Sequence, residues 1–106
     1  MDDTLTMGDP DETDSQIQVD SWTFGLVTEE TCFSSKFDAI IGLAYPQFAE
    51  DGVQPLMDAL MKARVLKKNI FTFHLSMNQD EDSVLEFGQI DESKYKGELK
   101  YYNVKN

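Results

Sequence analysis

The sequence contains one cysteine and one histidine among its 106 residues, Cys32 and His74. A single cysteine cannot form a disulfide within the chain, so cysteine content indicates nothing about the cellular compartment. A single histidine excludes a histidine-based metal cluster and a Ser-His-Asp triad built from this chain alone. We therefore expect no metal and no cofactor, and we interpret Cys32 as an unreactive thiol in a polar loop.

Basic residues are also scarce, because nine lysines and arginines stand against twenty acidic residues, a formal net charge of −11. This excess excludes nucleic-acid binding as the main function and disfavours binding to anionic membrane surfaces. No apolar run is long enough to predict a transmembrane helix. Hydrophobic residues make up 41% of the chain, which is too much for a disordered segment, so most of the chain should fold.

The acidic residues are concentrated at the start of the chain. Residues 1–20 carry seven acidic side chains and no basic one. We interpret this stretch as an acidic, poorly packed leading segment and residues 16–106 as the folded part. The spacing of acidic residues from Asp9 to Asp20 faintly resembles a calcium loop, but Asp14 stands where such a loop needs glycine. A solvated turn is the better interpretation.

Hydrophobic periodicity predicts a fold that is mainly β with a minor α-helix. Ile17 and Val19 alternate with polar residues, and after a one-residue slip in phase the alternation continues from Trp22, which predicts a strand with a β-bulge. Further strands are predicted over residues 37–46, 70–77, 84–87 and 98–104. One face of an amphipathic helix is predicted from Val53, Leu56, Met57, Leu60 and Met61, with Pro55 in its first turn.

The run at residues 37–46 reads FDAIIGLAYP and is predicted to be a buried strand that enters a tight turn. It also resembles the Phe-Asp-Gly-Ile-Leu-Gly-Leu-Ala-Tyr-Pro signature of pepsin-like aspartic proteases, especially of the cathepsin D-like branch. Ala39 replaces the usual glycine of the family. The resemblance continues in order along the chain, at residues 3–5, 53–61, 69–76, 85–91 and 95–104.

The resemblance implies that the chain is the back part of the amino-terminal lobe of a double-lobed β-barrel acid protease. It would run from just after the active-site flap to the strand that leads to the second lobe. Catalysis in this family needs two Asp-Thr/Ser-Gly loops, whose aspartates share a proton and activate water. Neither motif occurs here, since Asp3 is followed by Thr4-Leu5 and Asp14 by Ser15-Gln16. We therefore assign no catalytic residue and predict that the chain alone is inactive.

Functional roles follow from the resemblance for six residues. Ile40 corresponds to a wall of the first specificity pocket, and Tyr95 to an aromatic residue that lines the other side of the substrate cleft. Four residues correspond to support for the loop that carries the first catalytic aspartate: Phe37, Asp38, Ile41 and Gly42. Because side chains alternate along a strand, Ile40 and Ile41 are expected to face opposite sides.

The leading hypothesis is a fragment of an aspartic endopeptidase. Two alternatives remain open: a catalytically inactive pepsin-like protein that serves as a binding or inhibitor module, and an unrelated β domain that binds another protein. For the endopeptidase, the expected partners are a polypeptide substrate and the remaining parts of the pepsin-like fold. The family implies a secretory, lysosomal or vacuolar location. Open β edges predict that the isolated fragment self-associates.

Overall fold

In the computed structural model, which describes residues 1–31 and 36–105, strands dominate the regular structure and one short helix accompanies them. The elements within these residues are β1 (Asp2–Met7), β2 (Ile17–Thr23), α1 (Leu56–Lys62), β3 (Phe71–His74) and β4 (Val84–Phe87). The chain divides into two units, Met1–Asn69 and Ile70–Asn106. The prediction of a mainly β fold with a minor helix is confirmed. Cys32 lies outside the described residues.

The first unit is built on the antiparallel hairpin of β1 and β2. Asp3 pairs with Trp22 and Leu5 pairs with Val19. Between these two pairs β2 advances by three residues and β1 by two, so β2 contains one extra residue. The extra residue is accommodated with Ser21 in the left-handed region, at φ 53°. The β-bulge predicted from the slip in hydrophobic phase is therefore confirmed.

The acidic leading segment contributes a regular element, because β1 lies within it. Four of the six residues of β1 are exposed, and only Leu5 and Met7 are half-buried. A short 3-10 turn at Thr13–Ser15, with no buried residue, connects the two strands. The proposed division into a segment 1–20 and a folded part 16–106 stays a prediction.

The core of the first unit lies between β2 and α1. Leu56 and Leu60 are 1% and 0% exposed, and Val19 on β2 is 5% exposed. The indole N–H of Trp22 donates a hydrogen bond of 2.9 Å to the carbonyl of Gln54, which ties β2 to the start of the helix. The predicted helix is confirmed, but it begins at Leu56, so Val53 lies outside it and Pro55 is its N-cap residue rather than part of its first turn. The missing N–H of Pro55 has no cost there.

The carboxyl end of α1 is closed by a Schellman motif. The N–H of Val65 bonds to the carbonyl of Leu60 at 3.3 Å, and the N–H of Arg64 bonds to that of Met61 at 3.1 Å. This geometry requires a left-handed residue after the cap, a position that glycine usually occupies. Here Arg64 occupies it, at φ 57°. A non-glycine residue in this conformation carries a steric cost of about 1 kcal/mol.

Substituting Arg64→Gly should therefore stabilise the chain by about 0.5–1 kcal/mol, because relief of the steric cost exceeds the added entropy of the unfolded chain. The measurement is the Tm by circular dichroism, with an expected rise of a few degrees. Lys62→Gly, inside the helix, is the matched control and should lower the Tm. A fall in Tm for Arg64→Gly would contradict the argument.

The second unit is built on the antiparallel hairpin of β3 and β4. Phe71 pairs with Phe87, and Thr72 pairs with Glu86. The Thr72 hydroxyl donates to the Glu86 carboxylate at 3.2 Å on the half-buried face. On the other face the rings of Phe71 and Phe73 meet edge to face at 6.0 Å, and Phe73 is 60% exposed. The loop between the strands is held by hydrogen bonds around Ser76.

Two predicted strands are wrong. Residues 37–45 and 98–104 form no regular structure, and neither stretch pairs with another strand among the described residues. Phe37 is 47% and Ile41 44% exposed, so the first stretch is not buried as predicted. A strand needs a partner for its peptide groups, and local sequence cannot reveal whether that partner is present.

Candidate substrate pocket

Two cavities open in the first unit within the described residues, with volumes of about 510 Å³ and about 360 Å³. Both cavities are lined by Trp22 of β2, by Phe24 directly after this strand, and by Ile40 and Ile41. The rings of Trp22 and Phe24 lie 6.3 Å apart at 41°. The larger cavity lies between the hairpin and residues 37–41, whereas the smaller one extends along residues 40–56 to the start of α1.

The structure brings five of the six predicted site residues to these cavities. Ile40, which is 69% exposed, and Ile41 line both of them. Gly42 lines the smaller cavity, and Phe37 and Asp38 line the larger one. The expected placement of Ile40 and Ile41 on opposite sides of a strand does not apply, because residues 37–45 form no strand. The pocket and support roles themselves stay predictions.

Tyr95 belongs to the second unit and lines neither cavity. It follows a 3-10 turn at Glu92–Lys94 and is half-buried. The turn is capped by Asp91, whose carboxylate accepts a bond of 2.9 Å from the Ser93 N–H and one of 2.6 Å from its hydroxyl. These bonds from Ser93 lower the pKa of Asp91 below its ordinary value, because they stabilise the ionised carboxylate.

The lowered pKa of Asp91 predicts an acid-sensitive turn. A carboxyl group whose pKa is lower in the folded state stabilises the fold above its unfolded pKa, near pH 4. That stabilisation is lost as the pH falls through the folded value. In an NMR titration, we expect the chemical shift of the Ser93 amide to change with a midpoint below that of an ordinary aspartate. The Ser93→Ala variant should raise the midpoint of Asp91, which is measured from the chemical shift of its carboxyl carbon. Ser15→Ala is the control, and an equal shift in both variants would contradict the assignment.

Trp22 is the site residue that sequence analysis missed. Its strand position was predicted, but its contact with Gln54 and its place in both cavities depend on packing against residues more than thirty positions away. The available signal was that the only tryptophan of the chain directly follows the slip in phase. β-Bulges are over-represented next to functional sites, where they redirect a side chain.

The described residues around the pocket offer mainly apolar contacts. Among residues 1–31 and 36–105, no group of three or more histidine, cysteine, aspartate or glutamate residues could hold a metal ion. No helix in this part of the chain has the length and apolar content needed to cross a bilayer. The arrangement can bind an apolar side chain, and the sequence contains neither Asp-Thr-Gly nor Asp-Ser-Gly.

Comparison with known proteins identifies the family of this chain. The family model for eukaryotic aspartyl proteases matches residues 3–106, which is nearly the whole chain. The chain belongs to the eukaryotic aspartyl protease family.

Within that family the chain is similar to cathepsin D. It is 40% identical to cathepsin D of Canis lupus familiaris and 38% identical to that of Homo sapiens, in both cases over 83% of this chain and 23% of the relative. It is also 42% identical to pregnancy-associated glycoprotein 2 of Sus scrofa, over 74% of this chain and 19% of that protein. The chain therefore spans about a quarter of the length of the curated relatives that it matches.

Proposed function

We propose that the chain is part of the amino-terminal lobe of an aspartic endopeptidase, between the active-site flap and the strand that leads to the second lobe. The observation that carries the proposal is the family match over residues 3–106, which includes the 37–46 run. That run also lines both apolar cavities of the first unit. In the parent protein, meaning a longer chain that carries both Asp-Thr/Ser-Gly motifs, two aspartates would activate water for attack on a peptide bond.

In this proposal Ile40 contributes a wall of the first specificity pocket, and Tyr95 lines the other side of the substrate cleft. Phe37, Asp38, Ile41 and Gly42 support the loop that carries the first catalytic aspartate. Ile40 is suited to its role because it is largely exposed at a cavity lined by aromatic side chains. An apolar substrate side chain placed there would gain roughly 25 cal/mol for each Å² of surface that it buries.

The chain alone should hydrolyse no peptide bond. Without paired aspartates it has neither a base for the attacking water nor an acid for the leaving amine. The measurement is cleavage of haemoglobin or a fluorogenic peptide between about pH 3 and pH 6, the range in which carboxyl groups exchange protons. A parent protein with both motifs is the positive control. Turnover by the chain that a transition-state analogue blocks would contradict the prediction.

The same experiment separates the endopeptidase from a catalytically inactive binding or inhibitor module. A natural longer chain that contains both motifs and cleaves peptides supports the endopeptidase. A natural longer chain that lacks either aspartate, binds polypeptides and cleaves none supports the binding module. We further propose a secretory, lysosomal or vacuolar location and a polypeptide substrate for the parent protein, on the strength of the family membership.

A further inference from the structure

The segment between α1 and β3 carries the only pair of adjacent basic residues in the chain, Lys67 and Lys68. No acidic residue occurs between Asp58 and Asp80, so this pair lies in a stretch free of negative side chains. Both lysines follow the last turn of α1, and interaction with the helix dipole therefore does not account for them. Neither forms an ion pair within the described residues. In a chain with a net charge of −11, the pair makes this segment locally cationic.

The main chain of this segment is accessible to an enzyme. Lys67, Lys68 and Asn69 are exposed and belong to no helix or strand. Residues 66–69 make no backbone hydrogen bond within the described part of the chain. An endopeptidase must draw several residues into its active site in an extended form, and hydrogen bonds of the native fold oppose this. Because such bonds are absent here among the described residues, the segment is suited to proteolysis.

The other basic residues are less suited to proteolysis. Lys62 is the last residue of α1, and the N–H of Arg64 is bonded in the Schellman motif. Four further lysines are exposed, but each has an acidic residue within two positions: Lys36, Lys94, Lys96 and Lys100. An endopeptidase that binds basic side chains does so with its own carboxylates, which repel acidic neighbours of the cut. Accessibility and charge therefore both favour the pair at 67–68 over these residues.

The pair also lies where the chain divides into its two units, Met1–Asn69 and Ile70–Asn106. β1, β2 and α1 all precede it, and β3 and β4 both follow it. The buried side chains of the first unit likewise precede it. A cut after Lys68 would therefore separate no pair of hydrogen-bonded strands and would leave this core in one piece.

We propose that Lys67-Lys68 is a processing site for a serine endopeptidase selective for paired basic residues. The enzyme hydrolyses the peptide bond between Lys68 and Asn69 and binds the two lysine side chains in acidic pockets. The C–N bond breaks, the hydroxyl of one water molecule goes to the carbonyl carbon of Lys68, and its remaining proton goes to the amine of Asn69. The products are residues 1–68 and 69–106. The cut is made by another enzyme, so the proposal does not rest on the proposed peptidase function.

The direct test is digestion of the full chain by a subtilisin-type endopeptidase selective for paired basic residues, followed by intact-mass spectrometry. We expect two products, residues 1–68 and 69–106. Because the segment needs little opening, they should form at a rate within about tenfold of that for a free peptide of residues 63–73. The emission of Trp22 should stay unchanged, because its hydrogen bond to Gln54 lies ahead of the cut.

Trypsin tests the accessibility of the segment, because it cleaves after any lysine or arginine. At a low ratio of enzyme to chain, it should cut after Lys67 or Lys68 at least about tenfold faster than after Lys62 or Arg64. The chain unfolded in urea is the control, in which this preference should fall below about threefold because the helix and its cap are lost.

The requirement for a pair is tested with Lys67→Gln, which keeps Lys68 as the residue before the cut. The endopeptidase selective for paired basic residues should cleave this variant at least about tenfold more slowly, whereas trypsin should cleave after Lys68 less than about threefold more slowly. Lys96→Gln is the matched control, because Lys96 is another exposed lysine outside helices and strands, and it should change neither rate. Circular dichroism verifies that both variants are folded.

Four results would overturn the proposal. They are an uncut chain under conditions in which the free peptide is cleaved, a first trypsin cut after Lys62 or Arg64, equal effects of Lys67→Gln and Lys96→Gln, and a change in Trp22 emission on cleavage. The last result would show that the cut unfolds the first unit. Hydrolysis by the paired aspartates of the parent protein is measured separately, so the proposed peptidase function and this site can fail independently.

Discussion

Leu60→Ala is expected to destabilise the chain by about 2–5 kcal/mol, because its side chain is fully buried between α1 and β2 and the cavity left behind cannot collapse completely. Native domains of this size are stable by only about 5–15 kcal/mol. The loss therefore removes a large share of the total. Urea denaturation followed by far-ultraviolet circular dichroism measures it as a lower midpoint with an unchanged slope.

Two further variants keep this experiment informative. Leu75→Ala removes the same atoms from a leucine that is 74% exposed and should change stability by less than about 0.5 kcal/mol. Leu60→Met conserves volume and should cost less than about 1.5 kcal/mol, so it stays measurable if the alanine variant does not fold. Equal losses at Leu60 and Leu75 would show that the core does not lie where the structure places it.

Ile40→Ala in the parent protein is expected to lower kcat/KM for substrates with Phe or Leu at the first specificity pocket by about 1–3 kcal/mol in transition-state binding, or roughly 10- to 200-fold. Small substrate side chains should lose much less, because they reach the removed methyl groups poorly. Because Ile40 is 69% exposed, its substitution should change the free energy of unfolding of the protein by less than about 0.5 kcal/mol. The measurement is steady-state kinetics with a matched Phe/Ala substrate pair, together with the Tm.

Ile41→Ala is the matched control, because Ile41 is the neighbouring residue and lines the same cavities. From the sequence alone, a buried Ile41 would cost about 2–5 kcal/mol. At 44% exposure we expect nearer to about 1 kcal/mol, with equal effects on both substrates. If Ile40→Ala also scales both substrates equally, Ile40 does not form the pocket and the proposed role is wrong.

The elements that sequence analysis predicted well depend on local patterns. The spacing of Leu56, Met57 and Leu60 places their side chains on one face of α1, and this face can be predicted from residues within two turns of each other. The slip between Val19 and Trp22 indicates a bulge because side chains alternate strictly along a strand. The hairpin of β3 and β4 also needs only neighbouring segments; β4 has the predicted bounds, whereas β3 is shorter than the predicted 70–77.

The two wrong strands show the limit of that approach. Residues 98–104 carry apolar and aromatic side chains suited to a strand, yet Tyr101 and Tyr102 are 81% and 84% exposed in a stretch without a partner. Strand formation there depends on pairing over long distances, which no local pattern encodes. The same limit applies to the candidate site. The 37–46 motif could be identified from adjacent residues, whereas the contact of Trp22 with Gln54 joins residues far apart in the sequence and could not be predicted.

The bulge at Ser21 has a consequence for how the length of this hairpin can vary among related chains. Val19 and Trp22 lie three residues apart, yet the bulge places them opposite Leu5 and Asp3, which share one side of β1. Deleting Ser21 would leave two steps between them, and a regular strand would still turn both side chains the same way. Loss of Ser21 therefore preserves the alignment of Trp22 with the helix. A change of one residue between Asp3 and Leu5 on β1 would reverse it.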